Sequence, residues 1–68
     1  DRQLSTAVAN LPEVLGEVVR LRFYDRMSCT EIARLKGVPL GTVTSRLSRA
    51  YSLLREALRE GTEDKNAE

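Results

Sequence analysis

The sequence predicts an all-α fold, a small domain of four helices. Three observations carry this. Apolar residues recur at i, i+3, i+4 and i+7 along almost the whole chain. No stretch alternates with the period of two that a half-buried strand needs. Helix-stop signals punctuate the chain at "NLP", "YDRM", Gly37 and Gly61. With 68 residues the chain is one domain at most. A domain of this size buries only about 60% of its unfolded surface, so its walls cannot enclose a deep catalytic cavity.

The first helix is predicted over roughly 2–9. Leu4, Ala7, Val8 and Leu11 set its stripe, and Asn10-Leu11-Pro12 closes it. Pro12 fits the first turn of the second helix, where a missing N–H costs nothing. That helix is predicted from about 12 to 24, with Val14, Val18 and Leu21 inward and Leu15 and Val19 flanking. Gly16 inside it weakens it by up to ~1 kcal/mol relative to alanine. "SCTE" at 28–31 has the form of a capping box, with Ser28 as the cap and Glu31 reaching back. The third helix carries Ile32, Ala33 and Leu35 and ends at Gly37, a left-handed C-cap, with Val38 packing beneath the turn. The last helix is predicted from Leu40 to about Glu60, with Val43, Leu47, Ala50, Leu54 and Leu58 inward and Gly61 as its stop. Residues 1–61 thus form the domain, and 62–68, "TEDKNAE", an acidic, disordered tail.

The net charge is only +1, but it is unevenly placed. Residues 1–27 balance, the tail is acidic, and 28–61 carry twice as many bases as acids. From Leu40 to Leu54 there is no acid at all. A basic face of this kind favours a polyanion. The composition also excludes functions. There is no histidine, aromatics are 4%, and no metal-ligand cluster, nucleophile–base pair or phosphate loop is present. An enzyme, a metal, a cofactor and a small-molecule substrate are therefore not expected. The single cysteine, Cys29, allows no internal disulfide, which suits a reducing cytoplasm; a redox switch and an inert thiol are both readings of it. No apolar run approaches the ~18 residues of a membrane span, and there is no signal peptide at this start. The chain begins with Asp1 rather than methionine, as expected of a piece of a longer protein.

Two helices joined by a tight glycine turn form a helix-turn-helix, and the stretch "GVPLGTVTSRLSRA" favours the DNA-binding kind. Ala33 is small enough for the last helix to cross closely over the third. Val43 and Leu47 anchor the last helix, leaving Thr42, Ser45, Arg46 and Arg49 on a face free to enter a major groove. The start of the third helix, capped by Ser28, presents backbone N–H groups to a phosphate, and Arg26 just before it is within reach of one. Arg55 and Arg59 interleave with Glu56 and Glu60, which reads as a solvated face. Leu11, Val14 and Leu21 are either core or the edge of a groove for a partner helix.

"LPEVLGEVVRLRFYDRMSCTEIARLKGVPLGTVTSRLSRAYSLLREAL" resembles region four of bacterial sigma factors of the extracytoplasmic-function type. The resemblance spans about residues 1–60. Its most specific parts are Leu11-Pro12, Glu31-Ile32-Ala33 and the glycine-threonine-valine opening followed by Ser45-Arg46-Leu47-Ser48-Arg49-Ala50. It implies recognition of the −35 promoter element as duplex DNA, docking on the β-subunit flap of RNA polymerase, and masking by an anti-sigma factor. It also implies a bacterial cytoplasmic setting. The positions matching Thr44, Ser45, Ser48 and Arg49 lie at or near the groove in that family. Arg49 and Ser45 are the expected readers, Ser48 a single bond to base or backbone, and Arg46 a phosphate contact. The chain departs from the family at Thr44, where lysine or arginine is common, at Lys36 in place of leucine, and at Gly16 in place of arginine. Two alternatives share these features: the helix-turn-helix effector domain of a response regulator, and a sigma-like interaction module that binds an anti-sigma partner rather than DNA.

Overall fold

The computed structural model describes the backbone of residues 2–66 and the side chains of residues 2–59. Four helices follow in order: α1, Arg2–Ala9; α2, Glu13–Phe23; α3, Cys29–Lys36; and α4, Leu40–Asn66. There is no strand among the described residues, and no helix among them is long and apolar enough to cross a membrane. α4 is the spine on which α1, α2 and α3 all pack. At ~1.5 Å per residue its 27 residues reach ~40 Å, most of the 47 Å long dimension.

Pro12 is the N-cap of α2 rather than a first-turn residue, one position earlier than the sequence suggests. Its carbonyl accepts the N–H groups of Leu15 and Gly16, both at 2.9 Å. Gly16 is buried. A β-carbon there would lie 3.4 Å from the Val8 carbonyl oxygen and 3.1 Å from Arg20 Nη1. The glycine costs helix propensity but gives the end of α1 a close seat on α2.

The core contains Ala7 and Val8 from α1, Leu15, Val18 and Val19 from α2, Ile32 from α3, and Val43, Leu47, Ala50 and Leu54 from α4. No polar or charged side chain is buried among the described residues. The α2 stripe is turned by one residue from its expected register. Leu15 and Val19 are buried with Val18, Leu21 is half-buried, and Val14 is 48% exposed. Val14-Leu15 and Val18-Val19 are adjacent apolar pairs, so periodicity cannot choose between their two faces. The choice falls to the packing of α1, α3 and α4 around α2. Leu4 and Leu35, placed on inward stripes by their spacing, are likewise exposed.

Gly37 ends α3 as expected, with φ 68° and ψ 37°. The N–H groups of Gly37 and Val38 both turn back to the Ala33 carbonyl. Gly61, in contrast, does not stop α4, whose backbone stays helical to Asn66. A glycine stop is commonly secured by an apolar residue beyond it that holds the reversed chain. Val38 packs on the core and supplies this at Gly37, whereas "TEDKNAE" has no large apolar residue to do so. The helix end expected at Gly61 is corrected accordingly to Asn66; Ala67 and Glu68 lie outside the described residues.

The break at "YDRM" is a compact turn. The Asp25 N–H donates to the Arg20 carbonyl at 3.1 Å and the Met27 N–H to the Leu21 carbonyl at 3.0 Å. Closing it holds Arg26 at φ 58°, a left-handed conformation that its β-carbon resists. Arg26→Gly should therefore raise the free energy of unfolding by about 1 kcal/mol, measured by chemical denaturation. A lower denaturation midpoint would show that the arginine side chain contributes more than its backbone conformation costs.

Candidate nucleic-acid interface

The start of α3 is closed by its own sequence. Ser28 Oγ accepts the Glu31 N–H at 3.0 Å, and Glu31 Oε1 accepts the Ser28 N–H at 2.7 Å. This is the capping box expected from "SCTE". It occupies the acceptor side of Ser28 but leaves the N–H groups of Cys29 and Thr30 at the helix tip. These bonds, first the backbone N–H of Ser28 and then its hydroxyl, hold the Glu31 carboxyl below its ordinary value, with Arg34 adding to the effect. A lowered folded-state value stabilises the fold above the unfolded pKa of about 4.5, and that contribution is lost as pH falls through the folded value. The stability gap between wild type and Glu31→Gln should therefore shrink as pH is lowered from 7 to below 4.5, in denaturation series at several pH values. A gap that stays constant would mean that the carboxylate charge adds nothing to the cap.

Gly37 then turns the chain so that α4 crosses α3 with Val43 and Leu47 inward. At about 100° per residue, Ser45, Ser48 and Arg49 point away from that seam, and all three are exposed. Thr44 and Arg46 occupy the two shoulders of the same face. Thr44 is exposed; Arg46 and Thr42 are half-buried. Thr44 Oγ1 donates to the Gly41 carbonyl at 3.1 Å. The expected α4 residues are thus brought onto one face and its margins. Ser28 and Arg26 sit at the neighbouring α2–α3 corner, both exposed.

A groove of about 350 Å³ runs beside this face, between the end of α2, the start of α3 and the Thr44 shoulder of α4. Arg22 and Arg55 both line it, together with Ser48 and Ser52. Arg22 also ties the corner together, its Nη1 donating to the Met27 carbonyl at 3.4 Å. Arg22 and Ser52 are not among the residues expected from the sequence, and Arg55, expected on a solvated face, is exposed as it lines the groove. The usable signal was the series Thr44, Ser48, Tyr51 and Arg55, which follows one helical edge at i, i+4, i+7 and i+11.

Over residues 40–54 this face carries bases and no acid. Ion pairs among the described residues are Arg20 with Glu13 at 3.4 Å and Lys36 with Glu17 at 2.7 Å, both away from the α4 outer face. The Lys36 amine reaches back to the Glu17 carboxylate on α2 while remaining exposed. Arg46, Arg49 and Arg55 have no acidic partner among the described residues. Bases concentrated on an acid-free helix face and left unpaired suit a phosphate backbone.

Leu11 and Leu21, two of the expected partner-groove residues, pack at the margin of the core, and Val14 is exposed. An apolar groove of about 240 Å³ lies elsewhere, between α1, the end of α2 and the middle of α4. Leu4, Phe23, Tyr24 and Tyr51 line its rim, and the Phe23 and Tyr51 rings meet edge-on with centroids 6.0 Å apart.

An all-helical domain whose glycine turn presents a basic helix face has the form of a helix-turn-helix DNA-binding module. Residues 1–54 match the family model for sigma-70, region 4, and the chain belongs to that family. The ECF RNA polymerase sigma factor SigW of Bacillus subtilis (strain 168) is 34% identical over 53 residues, which is 78% of this chain and 28% of that protein. The ECF RNA polymerase sigma factor RpoE of Cereibacter sphaeroides is 35% identical over 54 residues, 79% of this chain and 30% of that protein. The chain thus spans less than a third of the length of these relatives. No solved structure matches it significantly.

Proposed function

We propose that this domain reads the −35 element of promoter DNA within an extracytoplasmic-function sigma factor and so directs RNA polymerase to its start sites. One observation carries the reading: from Leu40 to Leu54 α4 has no acid, and Arg46 and Arg49 on its outer side have no acidic partner among the described residues. Family membership supplies the promoter as the duplex concerned. Arg49 and Ser45 contact base edges, Ser48 contacts base or backbone, and Thr42 and Arg46 contact phosphate. Arg26, Ser28 and the N–H groups beyond it hold the backbone at the start of α3. Arg22 and Arg55 extend the basic track along the groove.

The partners follow from the same assignment: promoter duplex, polymerase core through its β-subunit flap, and an anti-sigma factor, all in a bacterial cytoplasm. The wholly apolar groove beside Phe23 and Tyr51 supports a helix-binding role better than Leu11, Val14 and Leu21 do, because it is concave and open. Selection of bound duplexes by the full chain in complex with polymerase core tests the proposal. The expected result is a shared −35-like motif whose affinity falls steeply as salt rises. Selection without a shared motif would overturn it. Co-purification with polymerase core separates this reading from a response-regulator effector domain.

A further inference from the structure

Thr44 differs from the other hydroxyls on its face. Ser45 and Ser48 make no hydrogen bond among the described residues, so their hydroxyls can donate or accept. The Thr44 proton is already committed to the Gly41 carbonyl at 3.1 Å, one turn back along the same helix. Donating to a base would require giving up that bond. With the hydroxyl turned onto the backbone, the apolar group that Thr44 offers to a neighbour is its γ-methyl. The residue is exposed and stands at the mouth of the groove shared with Ser48.

In a major groove, guanine presents two acceptors and calls for a donor, which Thr44 does not have free. Thymine presents a C5-methyl group, which calls for an apolar contact. We infer that Thr44 is a specificity-determining residue that selects thymine at one position of the bound duplex by methyl–methyl contact. This rests on the duplex-reading function proposed above and adds to it the base and the chemistry of one contact.

Deoxyuridine differs from thymine only by that methyl group and pairs identically. The full chain with polymerase core is bound to its selected duplex, and each thymine of the −35 site is replaced in turn by deoxyuridine. One position should lose about threefold to fourfold in affinity, the size expected for one buried methyl group. Thr44→Val, which keeps the methyl and removes the hydroxyl, should retain that sensitivity. Thr44→Ser, which keeps the hydroxyl and removes the methyl, should abolish it while still binding the duplex. Sequence-specific binding that tolerates deoxyuridine at every position overturns the inference and leaves the proposed function standing. The same holds if Thr44→Ser stays sensitive. Failure to select any duplex overturns both.

Discussion

Arg49→Ala should weaken binding of the full chain with polymerase core to its preferred promoter duplex by about 5- to 150-fold. That range corresponds to the 1–3 kcal/mol carried by a bidentate arginine–base contact. Arg49 is exposed, has no acid to release, and points away from the Val43–Leu47 seam. Its guanidinium is therefore available without breaking any internal bond. The loss should be concentrated at one base pair: duplexes altered there should bind wild type and Arg49→Ala almost equally. Arg49→Lys should recover affinity but not the full preference, since an ammonium cannot match two acceptors at once. Arg46→Ala provides the contrast. Arg46 is half-buried on the shoulder, so its loss should weaken all duplexes alike and reduce the log–log salt slope by about one. A uniform loss for Arg49→Ala as well would make both residues phosphate contacts. Melting temperatures of both variants should stay at the wild-type value, because neither side chain is in the core.

Ile32→Ala should have the largest effect on stability, about 2–5 kcal/mol in chemical denaturation. Ile32 is 0% exposed and is the fully buried residue of α3. Its side chain fills the space between the first helix of the motif and the helix that carries the DNA-facing residues. A folded domain is stable by only 5–15 kcal/mol, and one this small sits low in that range. The variant should therefore be substantially unfolded near physiological temperature. Ile32→Val, which removes one methylene, should cost about 0.5–1.5 kcal/mol. DNA affinity in this pair should follow the folded fraction, in contrast to Arg49→Ala, where affinity falls without loss of stability. Equal stability of Ile32→Ala and Ile32→Val would mean that α3 relaxes onto α4 and closes the cavity.

Much of the fold was legible because the local signals were unambiguous. "SCTE" could serve as little other than a capping box. Gly37 followed by Val38 and Pro39 left the chain one way to turn. Val43, Leu47, Ala50 and Leu54 admit a single face, so the outer face of α4 was legible too. Arg22 was not, because the groove it lines joins α2 to an α4 residue 33 positions away in sequence. The apolar groove was missed for the same reason, its rim being drawn from α1, α2 and α4.

The sequence by itself determined the presence and order of the four helices, the capping box and glycine turn of α3, and the acid-free run of α4, since each depends on residues within a few positions of one another. The tertiary structure decided what local spacing leaves degenerate. It chose Leu15 and Val19 over Val14, because three helices close on that side of α2. It paired Lys36 with Glu17 across two helices and left Arg46 and Arg49 unpaired. It carried α4 through Gly61, where no apolar residue follows to hold a reversed chain against the core. Burial and charge pairing depend on which surfaces meet, and that is settled only when the helices pack.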